Sequence, residues 1–564
     1  MRSKKWLTAI GAAGCSLVLV APAFGQRGRT KLVLLEQLYL TRSTPQRIAK
    51  LLADMNSPDS KTRATAAYEV GVINPSVVSA APVLISLLKD RDSEVRVRAA
   101  ESLGEIASDS KEAIPALVIA MKDTDVTVRA RAAFALGGYG PDAAPAIAAL
   151  FAALRDKEPT VRESAADSLT QIDSLRESLA SRLLELLKDK VGVARQTAAS
   201  TLGRIGFSDD ATLAALLTAS RDADSEVGAA AIVALGSIRP TAASTIPTLR
   251  AFLTDKNSGI RGAAASALGR IGPLAAASAP DIAALLEDKE KGVRALAAGA
   301  LEGIGPAAAP AVPALVACLS DADTNLRRAA ITALGKMGSA AYPAVTRLIA
   351  LLNEKDYSTP GFAARALGDI GPTAYAATPA LIEALKGNSG LFQSDAARAL
   401  GKIGPAAAAA APYLFDLIMN RDSNVNLAAA DGLGQMGPAA YPFAPRLIEL
   451  LKGKDVGLRG MAAFALGRFV SPDATLLAAL ADALKDENSY VRLEAASALG
   501  TIAREAYFQV FFLREPAKAR TLALWRNVLI TLDKPGTTDP RDPSTFEEAR
   551  ASVHHLLEEA NPTK

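Results

Sequence analysis

Apolar residues return on a fixed beat along this chain. Leu103 is followed at every thirty-third position by Leu136, Leu169, Leu202, Leu235, Leu268, Leu301, Leu334, Leu367, Leu400, Leu433, Leu466 and Leu499. Val70 extends the series back by one period and gives fourteen repeats. Chance does not produce equal intervals in such a run, and a fixed period of this size marks a repeat architecture. Within a repeat the spacing is helical. Ile260, Ala264, Ala267, Leu268 and Ile271 fall at i, i+4, i+7, i+8 and i+11, on one face. A second series, running from Leu84 and Leu117 to Leu447 and Leu480, predicts another helix ahead of each anchor.

The small residues fix how these helix pairs meet. Alanine stands four positions before the anchor in every repeat, and glycine follows the anchor in most. Side chains this small let helices approach closely. Gly-Pro pairs such as Gly272-Pro273 and Gly305-Pro306 predict the end of one helix and the start of the next. No single pair can bury both of its apolar stripes, so the repeats must stack. The expected fold is an all-α solenoid of about fourteen helix pairs over residues 43–513, with no strand.

A proline is expected inside the first helix at Pro82, Pro115, Pro247, Pro280, Pro313, Pro379, Pro412 and Pro445. Eight residues on stand Asp90, Asp123, Asp255, Asp288 and Asp321, and six further on Arg96, Arg129, Arg261, Arg294 and Arg327. This spacing resembles the HEAT repeat, and its short period is similar to that of the HEAT-like repeats of phycobilin lyases. The resemblance implies a right-handed superhelix of the HEAT/armadillo kind whose second helices line a concave face. It also implies that these Asp and Arg residues form a hydrogen-bonded ladder between neighbouring turns. Function transfers less well: most such arrays bind proteins, and the lyase members handle a tetrapyrrole.

Composition narrows the chemistry. The 564 residues carry 63 basic against 59 acidic side chains, a net charge of +4, which argues against a nucleic-acid partner. Two cysteines exclude a disulfide framework. At the N-terminus, Arg2, Lys4 and Lys5 precede an uncharged stretch from Trp6 to Phe24, with small residues at Ala23 and Gly25. This is the layout of a signal peptide over residues 1–25, so export to the periplasm or the medium is expected. An uncleaved anchor and a lipid anchor on Cys15 are the alternatives. Residues 26–42 then form an N-terminal cap, and 514–564 a C-terminal helical cap, with aromatics that the repeats lack concentrated around its junction with the array, at Tyr507, Phe508, Phe511, Phe512 and Trp525. These aromatics cover the last repeat or form a dimer contact; otherwise the chain is expected to be a monomer with no membrane span after cleavage.

The second helices leave one stripe outside the core, at five before, two before and two after the anchor. From Leu235 to Leu334 it is small or apolar: Ala230, Ala263, Leu296 and Ala329, then Val233, Ser266, Gly299 and Thr332. Two after the anchor, Arg204, Arg270, Lys336, Lys402 and Arg468 recur every second repeat. Helix C-termini favour such cations; the other reading is a basic edge that orients an acidic partner. Repeats ten to twelve depart from the pattern. Pro360, Gln393 and Asn426 replace the ladder arginine, and Glu354, Gly387 and Asn420 replace the aspartate. Phe362, Arg365, Asp395, Arg398, Lys402 and Asp431 lie on the outer stripe there. Such a break marks either a binding site or drift in a tolerant repeat.

No catalytic constellation emerges. Cys318 reads as a small buried apolar residue, and the turn carboxylates, such as Asp90 with Asp92, as helix caps. His554 and His555, adjacent in a helix opened by a Ser544–Glu547 capping box, diverge by about 100° and do not meet at one metal. The expectation is a non-enzymatic, cofactor-free scaffold that binds protein through its concave face. The alternative is a lyase-like carrier holding a small molecule in the groove.

Overall fold

A computed structural model of the chain describes residues 45–73, 78–107, 110–172, 176–238, 244–356, 358–387, 390–419, 423–469, 474–511, 517–533 and 543–559. The expected signal peptide and N-terminal cap lie outside them. The described residues are helical, and they form two compact units, one ending at Leu179 and the other starting at Ala180.

We label the second helix of each repeat. The N-terminal unit holds α1 (Ser60–Gly71), α2 (Ser93–Glu105), α3 (Val126–Gly138) and α4 (Pro159–Ile172). The C-terminal unit holds α5 (Gly192–Ile205), α6 (Ser225–Ser237), α7 (Ser258–Ile271), α8 (Lys291–Ile304) and α9 (Thr324–Lys336). It continues with α10 (Thr359–Ile370), α11 (Gly390–Ile403), α12 (Ser423–Gln435), α13 (Val456–Arg468) and α14 (Ser489–Phe511). Two further helices close it, α15 (Ala517–Leu532) and α16 (Pro543–Glu559). In each unit, successive second helices lie side by side.

The repeat residues explain this packing. Every anchor leucine from Leu103 to Leu499 has 0% exposure, and burying such a side chain contributes about 1.5–3 kcal/mol. The alanines four positions earlier are buried as well. At Gly368, a Cβ would lie 2.7 Å from Cα of Ala399 in α11, so only glycine permits this approach. Helix starts are set in the turns: Asp59, Asp92, Asp125, Asp224, Asp323 and Asp455 each accept a hydrogen bond from a first-turn amide.

The prolines sit in the first turn of the first helices. Pro82 is the second residue of Ala81–Leu87, Pro247 the second of Ile246–Phe252, and Pro313 the second of Val312–Cys318. A first-turn position needs no amide hydrogen, which is why proline is tolerated there. In many repeats a 3-10 segment precedes this helix, as at Gly305–Ala311, entered through Gly305 at φ +68°. The same segment interrupts Lys291–Cys318, the one stretch among the described residues long and apolar enough to cross a membrane. Val293, Leu301 and Leu315 of that stretch are buried in the array.

The ladder has a definite geometry. Arg261 donates from Nε and Nη2 to the two carboxylate oxygens of Asp288, one repeat ahead, at 2.7 and 2.8 Å. Its Nη1 donates to the carbonyls of Asp255 and Lys256 in its own turn. The same clamp joins Arg63 to Asp90, Arg96 to Asp123, Arg129 to Asp156, Arg195 to Asp222 and Arg459 to Asp486. Each of these carboxylates also accepts the amide two residues on, as Asp90 does from Asp92.

Three expected rungs are different. Asp255 accepts only the Asn257 amide, because Gly228 occupies the arginine position one repeat back. Arg327 donates to Asp321 O in its own turn, and the position ahead of it is Glu354. Arg294 likewise donates to Asp288 O, and its buried Nε has no hydrogen-bond partner. Asp321 accepts the Asp323 amide. Arg294 and Asp321 stand in register, and nothing in the structure explains why they do not pair.

The C-terminal helices continue the stack. Gly500 of α14 faces Ala549 of α16, as Gly467 faces Ala498, so α15 and α16 make an additional, irregular helix pair. Trp525 and Phe546 fill it, at 0% and 1% exposure. Trp525 is thus a core residue and offers no dimer contact; the side chains of Tyr507, Phe508, Phe511 and Phe512 lie outside the described ones. Helix α16 starts at Pro543, which puts Ser544 inside the first turn and not at the cap.

Candidate functional site

The outer stripe of the second helices is the surface on which the chain could act. Over α6 to α9 it is a floor of small residues. Ala230, Val233, Ser266, Ala329 and Thr332 are half-buried and Ala263 is buried. Leu296 is 45% exposed. A depression of about 430 Å³ opens over α5 to α7, with Ala230 and Val233 below and Arg204 and Arg270 at its rim.

The row of cations reaches back to the preceding repeat. Arg270 Nη1 donates to Ser237 Oγ at 2.9 Å, and Lys402 Nζ to Asp369 Oδ1 at 2.6 Å. Arg468 Nε lies 3.2 Å from Asp431 Oδ1, with its guanidinium 5.0 Å from the Phe464 ring. These contacts tie neighbouring helices together. Lys336 is exposed and has no ion pair among the described residues.

In repeats ten to twelve the turns are rebuilt. Gln393 Nε2 donates to Leu385 O and Gly387 O, at 2.8 and 2.7 Å. It thereby replaces the half of the arginine clamp that closes its own turn and omits the half that reaches forward. Ahead of α10, Asp356 accepts the amides of Ser358 and Thr359. Hydrogen bonds, that from the Thr359 amide foremost, hold the Asp356 carboxyl at about 2.

The structure brings Phe362, Arg365 and Asp395 together. The Arg365 guanidinium lies 4.7 Å from the centroid of the Phe362 ring, and its Nε 3.4 Å from Asp395 Oδ1. Arg328 of α9 approaches the same ring at 6.0 Å, a contact the sequence did not suggest. Asp395 is not on the outer surface: it is 4% exposed, and its Oδ2 is buried without a hydrogen-bond partner. Gly361 explains this, because a Cβ there would lie 2.7 Å from that oxygen. Burial pushes the Asp395 carboxyl up, against the charges of Arg365 and Arg398. Arg398 is exposed and makes no ion pair among the described residues. Asp431 is committed to Arg468 and to Gln435 Nε2, 2.7 Å away.

Other candidates do not form sites. Cys318 is buried, and burial pushes its thiol up. His554 Nδ1 lies 3.3 Å from Glu558 Oε1. No group of three or more His, Cys, Asp or Glu able to hold a metal occurs among the described residues. Sequence reading also missed an exposed tyrosine series on the 3-10 segments: Tyr342, Tyr375 and Tyr441 are 56%, 59% and 39% exposed. Their shared position four residues after a turn glycine was the available signal.

HEAT repeats are matched over residues 48–127, 114–203, 213–281, 279–359 and 444–518. The stretch between the last two, 360–443, holds Pro360, Gln393 and Asn426 in place of the ladder arginine. Among solved structures, yeast importin-β (Kap95p) is similar at 15% identity and a TM-score of 0.59, over 95% of this chain and 80% of that one. A Kap95p structure concerned with RanGDP gives 13% and 0.52, over 94% and 92%. Kap121p bound to Nup53p gives 14% and 0.51, over 95% and 68%. At these identities the likeness concerns the fold alone. No curated protein matches the chain. With matches over more than half of its length and the ladder geometry in both compact units, the chain belongs to the HEAT repeat family.

Proposed function

We propose that this protein is an exported, non-catalytic scaffold that binds protein partners along the outer stripe of its second helices. The observation that carries the reading is the continuous run of that stripe across α5 to α13. Small residues form its floor over α6 to α9, and cations stand two residues after the anchors in every second repeat. An extended accessible surface suits a peptide or a helix better than a reaction centre. One similar solved protein, Kap121p, is bound to another protein, Nup53p. Export rests on the basic start and uncharged stretch of residues 2–24.

The test is capture of partners by the tagged full-length protein from an envelope extract, with cross-linking read by mass spectrometry. Enriched proteins cross-linked to residues on α5 to α13 are expected. No enriched protein, or cross-links confined to the first helices, refutes the scaffold. Recovery of the mature chain from the periplasm or medium, starting at Gln26, is expected for export.

The depression over α5 to α7 supports a second reading, a small-molecule carrier of the lyase-like kind. A visible absorbance band in the natively purified protein would favour it.

A further inference from the structure

Charges on the outer stripe of α9, α10 and α11 do not balance. Lys402 is bonded to Asp369 at 2.6 Å, and Arg365 is paired with Asp395 at 3.4 Å. Asp431, on the next helix, is held by Arg468. Arg328 donates to the neutral amide oxygen of Asn325, and Lys336 and Arg398 have no acidic partner among the described residues. Three cations, two on α9 and one on α11, thus make no ion pair among the described residues. Asp395, the acid behind Arg365, is 4% exposed and cannot meet a partner directly. The stripe therefore shows solvent a surplus of positive charge.

An apolar anchor lies within it. Phe362 is half-buried, with Arg365 at 4.7 Å and Arg328 at 6.0 Å from its ring. Cations over an aromatic face hold its orientation. Toward α8 the row continues through Ala329 to the exposed Leu296. Apolar positions and cations therefore run along the same stripe.

The repeat sets a length scale. Packed helices lie roughly 10 Å apart, and an extended chain advances about 10 Å in three residues. From this charge complementarity, and resting on the scaffold reading above, we propose that the stripe of α9 to α11 takes an acidic peptide segment. It would lie extended across the helices, with carboxylates about six residues apart over α9 and α11 and one apolar side chain midway between them against Phe362 of α10. Arg398 and Lys336 would meet the carboxylates, and Arg328 would hold both ring and peptide. Electrostatic complementarity of this kind selects the partner and speeds encounter.

The probe is a fluorescein-labelled synthetic peptide with Glu three residues to either side of one central Leu. Its binding to the full-length protein is followed by fluorescence anisotropy, beside a counterpart with Lys in place of Glu and a single-stranded DNA oligomer. The Glu peptide is expected to bind and to weaken as salt rises. The double reversal Lys336→Glu/Arg398→Glu changes two exposed residues and should leave the far-ultraviolet circular dichroism unchanged. It is expected to weaken the Glu peptide at least tenfold. Phe362→Ala should weaken it several-fold without removing the salt dependence. Equal affinity for the Glu and Lys peptides, or no effect of the double reversal, overturns the proposal. Competition by DNA at equal or higher affinity also overturns it, since the surface would then take any polyanion. Failure of the Glu peptide overturns this proposal alone, because extract capture mapped to another part of α5 to α13 would leave the scaffold standing.

Discussion

Arg261 and Asp288 are joined by two parallel hydrogen bonds across one repeat, at 2.7 and 2.8 Å, with side chains only 10% and 7% exposed. Arg294, one repeat on, occupies the same helical position and bonds only to Asp288 O in its own turn. The two arginines differ chiefly in the forward half of the clamp; Arg261 also donates to Lys256 O. Arg261→Met should therefore cost more than Arg294→Met, by about 1–2 kcal/mol for the charge-assisted pair. In a stack stabilised by nearest neighbours the loss is local. Amide hydrogen exchange should quicken where α7 meets α8 in the first variant. Equal effects of the two substitutions would show that the forward bonds add nothing.

Acid should act on the turns within a narrow window. The Asp288 carboxyl is held below its ordinary value by hydrogen bonds from Arg261, and Asp356 is held at about 2 by the Thr359 and Ser358 groups. A carboxylate depressed in the folded state stabilises the fold above its unfolded value, 3.8 for Asp356, and loses that contribution as pH falls through its folded value. For Asp356 the window runs from about pH 4 down to about pH 2. Asp356→Ala should destabilise the start of α10 by about 1 kcal/mol at neutral pH, the worth of a helix cap. It should also flatten the loss between pH 4 and pH 2, seen as a shallower fall in urea midpoint.

The repeat was legible because its residues have no freedom: a leucine at 0% exposure and an alanine against the neighbouring helix cannot drift without opening the stack. Pairing across repeats was less legible because it depends on both partners. Asp255 carries the ladder residue, but Gly228 faces it from the repeat before. The 3-10 segment that precedes the first helix in many repeats was not legible because it has no apolar period of its own. The stripe residues were found from helical phase alone, and phase does not report depth. Asp395 has the phase of an exposed residue and sinks because Gly361 leaves a slot for its carboxylate. Arg328, six before its anchor, reaches Phe362 only through the offset between adjacent helices.

Close approach of the second helices should be sensitive to a single methyl group. At Gly368 an added Cβ would lie 2.7 Å from the backbone of Ala399, which cannot rotate away as a side chain would. Gly368→Ala is expected to force α10 and α11 apart at a cost of about 1–3 kcal/mol, the usual range for overpacking. Gly299→Ala is the control, since nothing lies within 4 Å of its Cβ position. As a helix-interior glycine it should gain up to about 1 kcal/mol on becoming alanine. Opposite signs in the urea midpoints of the two variants would verify the contact; equal signs would contradict it.

The altered turns of repeats ten to twelve should be repairable. Gln393 already closes its own turn through Leu385 O and Gly387 O, as a ladder arginine closes its turn through Nη1. What is missing is a forward donor and an acceptor one repeat ahead, where the sequence has Asn420. In its present form this rung contributes no ion pair, so the helix starts of α11 and α12 should exchange their amide hydrogens faster than those of α7 and α8. Gln393→Arg alone supplies the donor without its acceptor and should change stability little. Asn420→Asp alone should also do little. Together they rebuild the spacing that joins Arg261 to Asp288, and the double variant should slow exchange at the start of α11 by roughly tenfold, equivalent to about 1.4 kcal/mol. The diagnostic quantity is the excess of the double change over the sum of the single ones. A positive coupling shows that the ladder is a transferable part of this repeat. Simple additivity would mean that the clamp depends on features of repeats seven and eight beyond the arginine and the aspartate.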